Sequence, residues 1–351
     1  MAMDGKVLAG RRVDPADALS FAGLSLRRWR WFWLALGLVV AFALPWTVSN
    51  FTVFQYTQVL VYAIAILGLN LLTGFNGQFS LGHSAFYAIG AYTAAILMFH
   101  FKVPYYWTLP LAGVICLFAG FLFGLPALRL EGLYLALATF ALAIATPQLL
   151  KYRAVEHWTG GVQGLNLKKP APPFDLPLSK DQWLYYFTLL VGLLLFWCAW
   201  NLVHSRTGRA IQAIRDNPIA ARTMGIDNAM YKSWTFGVSA LYTGVAGALG
   251  AIIIQFVAPD SFTFFLAVLI LVGSVVGGIT SIPGAVFGGI FVTFIPNISE
   301  ELATKIPGIA EEAAKGLTWT VYGLFLILII YVAPAGLAGL MRLLLARLLR
   351  R

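Results

Sequence analysis

Apolar residues fall in long unbroken runs along this chain, and within a run they occupy every face of a helical wheel instead of one stripe. Runs such as Trp31 to Val48, Leu133 to Leu150 and Trp183 to Val203 approach or exceed the roughly 20 residues that carry a helix across ~30 Å of hydrocarbon. A membrane β-barrel would alternate apolar and polar positions in short segments, and these runs do not. The pattern predicts an all-α, polytopic membrane protein with about ten transmembrane helices. Their expected positions are 31–49, 55–73, 84–101, 107–128, 133–150, 183–203, 234–256, 262–279, 283–298 and 317–333.

One interruption is unlike the others. "TGFNGQFSLGH", Thr73 to His83, places three glycines among Asn76, Gln78, Ser80 and His83, between two apolar runs. Gly74, Gly77 and Gly82 disfavour a continuous helix, and the polar side chains supply donors and acceptors without net charge. Broken backbone is tolerated at membrane depth only inside protein or against a watery cavity. The stretch therefore reads as a discontinuous helix lining or gating a polar path, or else as a plain cytoplasmic turn. A second interruption, "SIPGAVF" from Ser281 to Phe287, echoes "SLGHSAF" from Ser80 to Phe86, with serine and phenylalanine six residues apart in both. The echo marks an internal repeat with two broken elements facing each other, or only the close helix packing that Gly273, Gly277, Gly278, Gly284, Gly288 and Gly289 allow. Asn70, Asn76, Gln78, Ser80, His83 and Ser281 are the candidate path residues.

Composition places the chain in a bilayer: 60% of residues are hydrophobic and only 11% charged, more apolar matter than a soluble core of this length could bury. Cys116 and Cys198 lie in different apolar runs and read as small buried hydrophobes, with no disulfide expected. About thirty mostly polar residues, including Arg27, Arg28 and Arg30, precede the first run, so the N-terminus is not a cleavable signal peptide. Tryptophans such as Trp46, Trp107 and Trp183 sit at run ends, as interfacial anchors do.

The net charge of +10 then becomes a topology signal. With the N-terminus inside, sixteen of the 24 Lys and Arg fall on the cytoplasmic side, as the positive-inside rule requires. These residues are spread over tails and short loops and form no nucleic-acid-binding stripe. The external stretch from Lys151 to Gln182 departs from the rule: Lys151, Arg153, Lys168, Lys169 and Lys180 equal the basic count of the 204–233 loop. The organisation expected is a cytoplasmic tail at 1–30, a transmembrane domain at 31–334 containing the cytoplasmic loop 204–233, and a basic cytoplasmic tail at 335–351.

Several chemistries leave no trace. Carriers coupled to protons or sodium usually keep an ionisable group inside the membrane. Here Glu131, Lys151 and Asp260 all fall at run ends. No G-x-x-x-x-G-K-[ST] phosphate cradle occurs, so any driving force comes from another subunit. His83, His100, His157 and His204 have no metal-ligand spacing to another His or Cys, so no metal site and no cofactor are expected. For an intramembrane enzyme, the only grouping is His83 with Ser80 and Ser84, which more often is a hydrogen-bonded structural cluster.

The 204–233 loop carries a pattern of its own. In "SRTGRAIQAIRDNPIAARTMGID", Ser205 to Asp227, Asn217 and Pro218 form a helix-start signal and Gly225 a stop. Two short helices result. The first sets Ile211 and Ile214 against Arg209 and Arg215, as suits an element docked on a partner, or an interfacial helix that merely positions the next crossing.

Together these stretches amount to a resemblance. "GLNLLTGFNGQFSLGHSAFYAIGAYTAA" (Gly68 to Ala95) resembles the signature of LivM-type permease subunits of branched-chain amino acid ABC importers. "LRLEGLYLALATFALA" (Leu128 to Ala143), "TGGVQGL" (Thr159 to Leu165), "GRAIQAIRDNPIAARTMGI" (Gly208 to Ile226) and "LVGSVVGGITSIPGAVFGG" (Leu271 to Gly289) follow in the same order. The resemblance implies a permease in the bacterial inner membrane with both termini cytoplasmic. Its implied partners are ATP-binding cassette ATPase subunits, a second permease of the same family and an external solute-binding protein, and no enzymatic activity of its own. It further implies that a helix at Gly208 to Ile226 fits the ATPase, with Arg209, Arg215, Asp216, Asn217 and Pro218 as contacts. "TGGVQGL" either touches the binding protein or is a glycine turn. A urea or short-amide importer permease has much the same look, and a passive channel or facilitator shares the missing charge and missing ATP motif.

Overall fold

The computed structural model describes residues 26–128, 130, 132–173, 177–304 and 311–341. Most of the expected 1–30 tail, the last ten residues of the expected 335–351 tail, Arg129 and Glu131 lie outside the described residues. One helix, α1 (Leu26–Thr47), belongs to a separate structural unit and carries Pro45 near its end.

The larger unit, 49–340, is mostly helical among its described residues, as unbroken apolar runs require: a helix is the only open segment that bonds all of its own backbone in hydrocarbon. In chain order its elements are α2 (Asn50–Leu69), α3 (His83–Phe99), α4 (Tyr105–Ala127), α5 (Leu133–Leu150), α6 (Glu156–Thr159), α7 (Lys180–His204), α8 (Arg206–Asp216), α9 (Pro218–Thr223), α10 (Asn228–Ile254), α11 (Phe264–Gly277), α12 (Gly284–Thr304) and α13 (Glu311–Val332). The predicted runs fall on helices, but the count of about ten crossings is not established by them. Among the described residues, six helices are long and apolar enough to cross a bilayer: those spanning 50–75, 105–127, 133–150, 180–204, 228–254 and 259–277.

Ser49 and Ser179 start their helices by accepting from the N–H three residues on, and at α7 Gln182 returns the bond to close a capping box. The core forms around α10, which packs on α4, α3 and α2, while α2 also carries α12 and α7. Small residues set the spacing. A Cβ at Gly90 of α3 would overlap the carbonyl of Gly244 in α10, and one at Gly247 the carbonyl of Tyr87. In lipid, where tails are as apolar as leucine, such close approach supplies the packing that holds helices together.

At one end of α10 a short antiparallel pair, β1 (Leu165–Asn166) with β2 (Phe256–Val257), ties the 151–179 connection to the α10–α11 connection. Lys151 pairs with Asp260 at this end, and Lys169 with Asp181. The basic excess that weakened the charge argument is thus partly neutralised on site. Cys198, expected to be buried, is exposed on α7, whereas Cys116 is buried. A helix that packs along only part of its circumference leaves the remaining apolar positions for lipid.

Candidate functional site

The opposite end of α10 holds α8, α9 and both interruptions. Chain polarity alone does not predict what happens at the first one. Helix α2 does not stop at its polar end but widens into a π-helical turn over Asn70–Phe75. Such turns inside helices often occur at functional sites. Non-helical backbone follows over 76–82, with Gly77 at φ +76°, and α3 begins at His83.

This stretch runs into the bundle. Gly77 lies against the Arg215 side chain of α8, and at the far end His83 lies level with Gly68 of α2 and Ser239 of α10. Ser239 is eleven residues into α10, so His83 sits ~16 Å along the bundle from that helix's start, at 1.5 Å per residue. The backbone of this stretch is held by three hydrogen bonds. Thr73 Oγ1 donates to the Gln78 carbonyl at 3.0 Å; the Leu81 N–H donates to Thr139 Oγ1 of α5 at 2.9 Å; and Arg215 Nη1 donates to the Gly74 carbonyl at 3.0 Å.

His83 is spent on structure. The Ser239 hydroxyl donates to the Gly68 carbonyl at 2.6 Å, so its oxygen accepts from His83 Nε2–H at 2.8 Å. Nδ1 is then the acceptor facing Ser80 Oγ at 3.3 Å, which assigns a neutral ring with its proton on Nε2. Ser84, the other serine of the sequence grouping, is buried and bonded to neither.

The six candidate path residues are all buried, between 0% and 8% exposed. They form two groups. Asn70 bridges the interruptions: it donates to the carbonyls of Gly278 at 3.4 Å and Ser281 at 3.2 Å, and accepts from the Ser274 hydroxyl. The interruptions therefore touch, and a Cβ at Gly74 would overlap the Ile279 carbonyl. Ser281 Oγ accepts from the Gly284 N–H at the start of α12, as Ser80 Oγ accepts from the Gly82 N–H just before α3. The two serines thus each bond a backbone N–H near the start of the following helix, at different offsets. Asn76, Gln78, Ser80 and His83 form the second group, inside the first interruption. Neither polar side-chain atom of Asn76, nor Gln78 Oε1, has a partner among the described residues, a cost of about 1–3 kcal/mol for each buried group.

Helix α8 shows the expected sidedness: Ile211 and Ile214 are buried, Arg209 is exposed, and Arg215 is partly exposed while one of its guanidinium nitrogens turns inward. Its apolar face and the π turn enclose a crevice of only about 10 Å³, lined by Leu71, Phe75, Val203, Gly208, Ile211 and others, too small to hold more than one water. The helix is seated on the bundle. Arg209 Nη1 reaches the His204 carbonyl at 3.3 Å, and Asn217 caps α9 by accepting from the N–H groups of Ile219 and Ala220. The Pro218 carbonyl accepts from Asn228. Arg215 is the exception in aim: it holds Asp216 through Nε and Nη2 while Nη1 reaches into the bundle. Sequence reasoning missed Thr139, Ser239 and Ser274; of these only Ser274 is the single hydroxyl of its helix, while Thr139 and Ser239 share theirs with others. In "TGGVQGL", Gly160, Gly161 and Gly164 have positive φ, and Val162 is 66% exposed.

Residues 51–333 match the family model described as branched-chain amino acid transport system / permease component. The chain is 35% identical over 295 residues to the high-affinity branched-chain amino acid transport system permease protein LivM of Salmonella typhimurium, covering 77% of this chain and 68% of that one. It is 34% identical over 289 residues to LivM of Escherichia coli, covering 76% and 66%. A more partial likeness, 31% over 169 residues and 46% of each chain, is to the autoinducer 2 import system permease protein LsrC of Salmonella typhimurium. The chain spans about two thirds of the length of the LivM relatives. No solved structure matches.

Proposed function

This chain belongs to the family of branched-chain amino acid transport system permease components, and from that premise we propose that it forms one membrane-spanning half of an ATP-driven importer for branched-chain amino acids. In this reading the ten long helices are ten crossings of a bacterial inner membrane, with both termini and the α8–α9 end in the cytosol. The 31–334 region is the permease proper, and 204–233 is its coupling loop. Separate ATP-binding cassette subunits dock on α8 and α9, where Arg209, Asp216, Asn217 and Pro218 are exposed. A second permease of the family completes the path, and an external binding protein delivers solute to the β1–β2 end.

The observation that carries this reading is the bond from Arg215 to the Gly74 carbonyl. It joins α8, exposed for a cytosolic motor, to the first interruption of the bundle. Closure of the ATPases pushes α8, α8 shifts the π turn, and Asn70 passes the displacement to the second interruption. Such coupling is a rigid-body movement amplified by a packed, two-state element.

The test is reconstitution of this chain with the subunits that copurify with it. ATP-dependent uptake of labelled leucine that urea does not compete away supports the proposal. Uptake by the isolated chain without ATP would mean a passive channel, and urea uptake in place of leucine would move the substrate to short amides.

A further inference from the structure

Two buried asparagines bracket the π turn, and their surroundings differ. Asn70, at its start, is bonded through both polar atoms: Nδ2 donates to the Gly278 and Ser281 carbonyls and Oδ1 accepts from the Ser274 hydroxyl. Asn76, at its end, is 2% exposed, yet neither its Nδ2 nor its Oδ1 has a partner among the described residues. A buried amide that makes neither bond destabilises the arrangement it sits in, so its presence needs a physical reason.

Arg215 supplies one. Its side chain spans the chain on either side of Asn76: Nη1 donates to the Gly74 carbonyl two residues before, and the stem covers Gly77 just after, where a Cβ would lie 2.8 Å from Arg215 Cγ. Gly74 is itself buried. Movement of α8 against the interruption stretches the bond from Arg215, and a buried carbonyl stripped of its donor opposes that movement. Asparagine side chains bond neighbouring backbone groups, and Nδ2 is the kind of atom a carbonyl needs. The other amide of the stretch, Gln78, leaves only an acceptor, Oε1, buried and unpaired.

We infer that Asn76 is a reserve donor, which takes over the Gly74 carbonyl when Arg215 releases it, so that movement of α8 exchanges one hydrogen bond for another. Its part in transport rests on the reading of α8 as the element the ATPases move. The exchange itself is a property of this chain and is tested without transport.

The test is a double-mutant cycle on thermal denaturation of the full chain purified in detergent. Arg215→Met keeps a stem over Gly77 and removes the guanidinium; Asn76→Leu keeps the shape of the amide and removes its polar atoms. Asn76→Leu alone should leave Tm unchanged or raise it, because an unpaired polar group is replaced by an apolar one of like shape. The pair should fall by roughly 5 °C more than the two single shifts combined, since the Gly74 carbonyl then has neither donor. Additive shifts overturn the exchange. So does a Tm lowered as far by Asn76→Leu alone as by the pair, which would mean that the amide is already bonded in the resting fold. A double variant that fails to accumulate where both single variants do shows the same coupling in its strongest form, and if Asn76→Leu alone fails, Asn76→Ala replaces it in the cycle. In the reconstituted transporter Asn76→Leu should slow leucine import about tenfold with the ATPases still bound; unchanged import overturns its part in transport. Failure of the unmodified complex to import leucine overturns the importer reading instead, and leaves the cycle to judge Asn76.

Discussion

The interruption at 76–82 is tied by side chains from several elements, whereas around the one at 278–283 glycine backbones also meet directly, with the Asn70 side chain bonding its carbonyls. Around the first, Thr73, Thr139, Ser239 and Arg215 each contribute one hydrogen bond from a different element. Around the second, Gly277 abuts Gly284, Gly278 abuts Gly336, and Gly273 abuts Gly288, so that an added Cβ at Gly277, Gly288 or Gly336 would overlap a neighbour's backbone. Hydrogen bonds to hydroxyls can be exchanged for others of similar strength during a movement, but interlocked backbones have one close-packed arrangement. On the proposed reading, the first interruption is the one that rearranges and the second is carried along. Only the first touches α8 through Arg215, and Asn70 links the two.

That contrast breaks most visibly where the interruptions meet. Gly74→Val places a branched side chain into the Ile279 carbonyl, where no flexible neighbour can yield, so a loss of about 3 kcal/mol or more and failure to accumulate in membranes is expected. Fluorescence-detected size exclusion of a detergent extract reads this directly. Asn70→Leu comes next: it leaves the Gly278 and Ser281 carbonyls and the Ser274 hydroxyl without this partner, a cost of about 3 kcal/mol. Thermal denaturation of the purified complex should show it, and a Tm unchanged by the substitution would dissolve the link between the interruptions.

Ser239→Ala removes the acceptor of His83 Nε2–H, for a smaller loss of about 1–2 kcal/mol, and Ser80→Ala should cost less because its bond is longer. Reversal of that order would show that the ring is held from the Ser80 side. The smallest effect belongs to Gln78→Ala. Its side-chain oxygen has no partner among the described residues and its backbone bonds survive, so stability should stay within about 0.5 kcal/mol. Leucine uptake should also persist; a selective loss of uptake would return Gln78 to the path.

Much of this was legible in the residues, but unevenly. Apolar runs marked where the long helices lie, because in hydrocarbon length and composition leave little choice. The glycines at 74, 77 and 82 marked the first interruption, and the serine–phenylalanine echo marked its relation to the second. Ile211 and Ile214 indicated the buried side of α8. What the chain could not disclose was which way the polar side chains of 76–80 point. Burial alternates along 76–81, and the side that faces protein depends on Thr139 and Ser239, 58 and 156 residues away from their partners. For the same reason Arg215 was readable as an exposed cation but not as the partner of a carbonyl 141 residues earlier. The π turn had no signal beyond Asn70 itself.

The central claim is that α8 drives the first interruption through Arg215, and the ratio of leucine imported to ATP hydrolysed tests it most directly. For the reconstituted complex carrying Arg215→Ala, the account predicts that the ATPases remain bound and hydrolysis stays near normal. Import per ATP should fall about tenfold, because the push on α8 no longer reaches the Gly74 carbonyl. Import and hydrolysis falling together with loss of the ATPases would contradict it and make Arg215 a docking contact; an unchanged ratio would remove it from the mechanism.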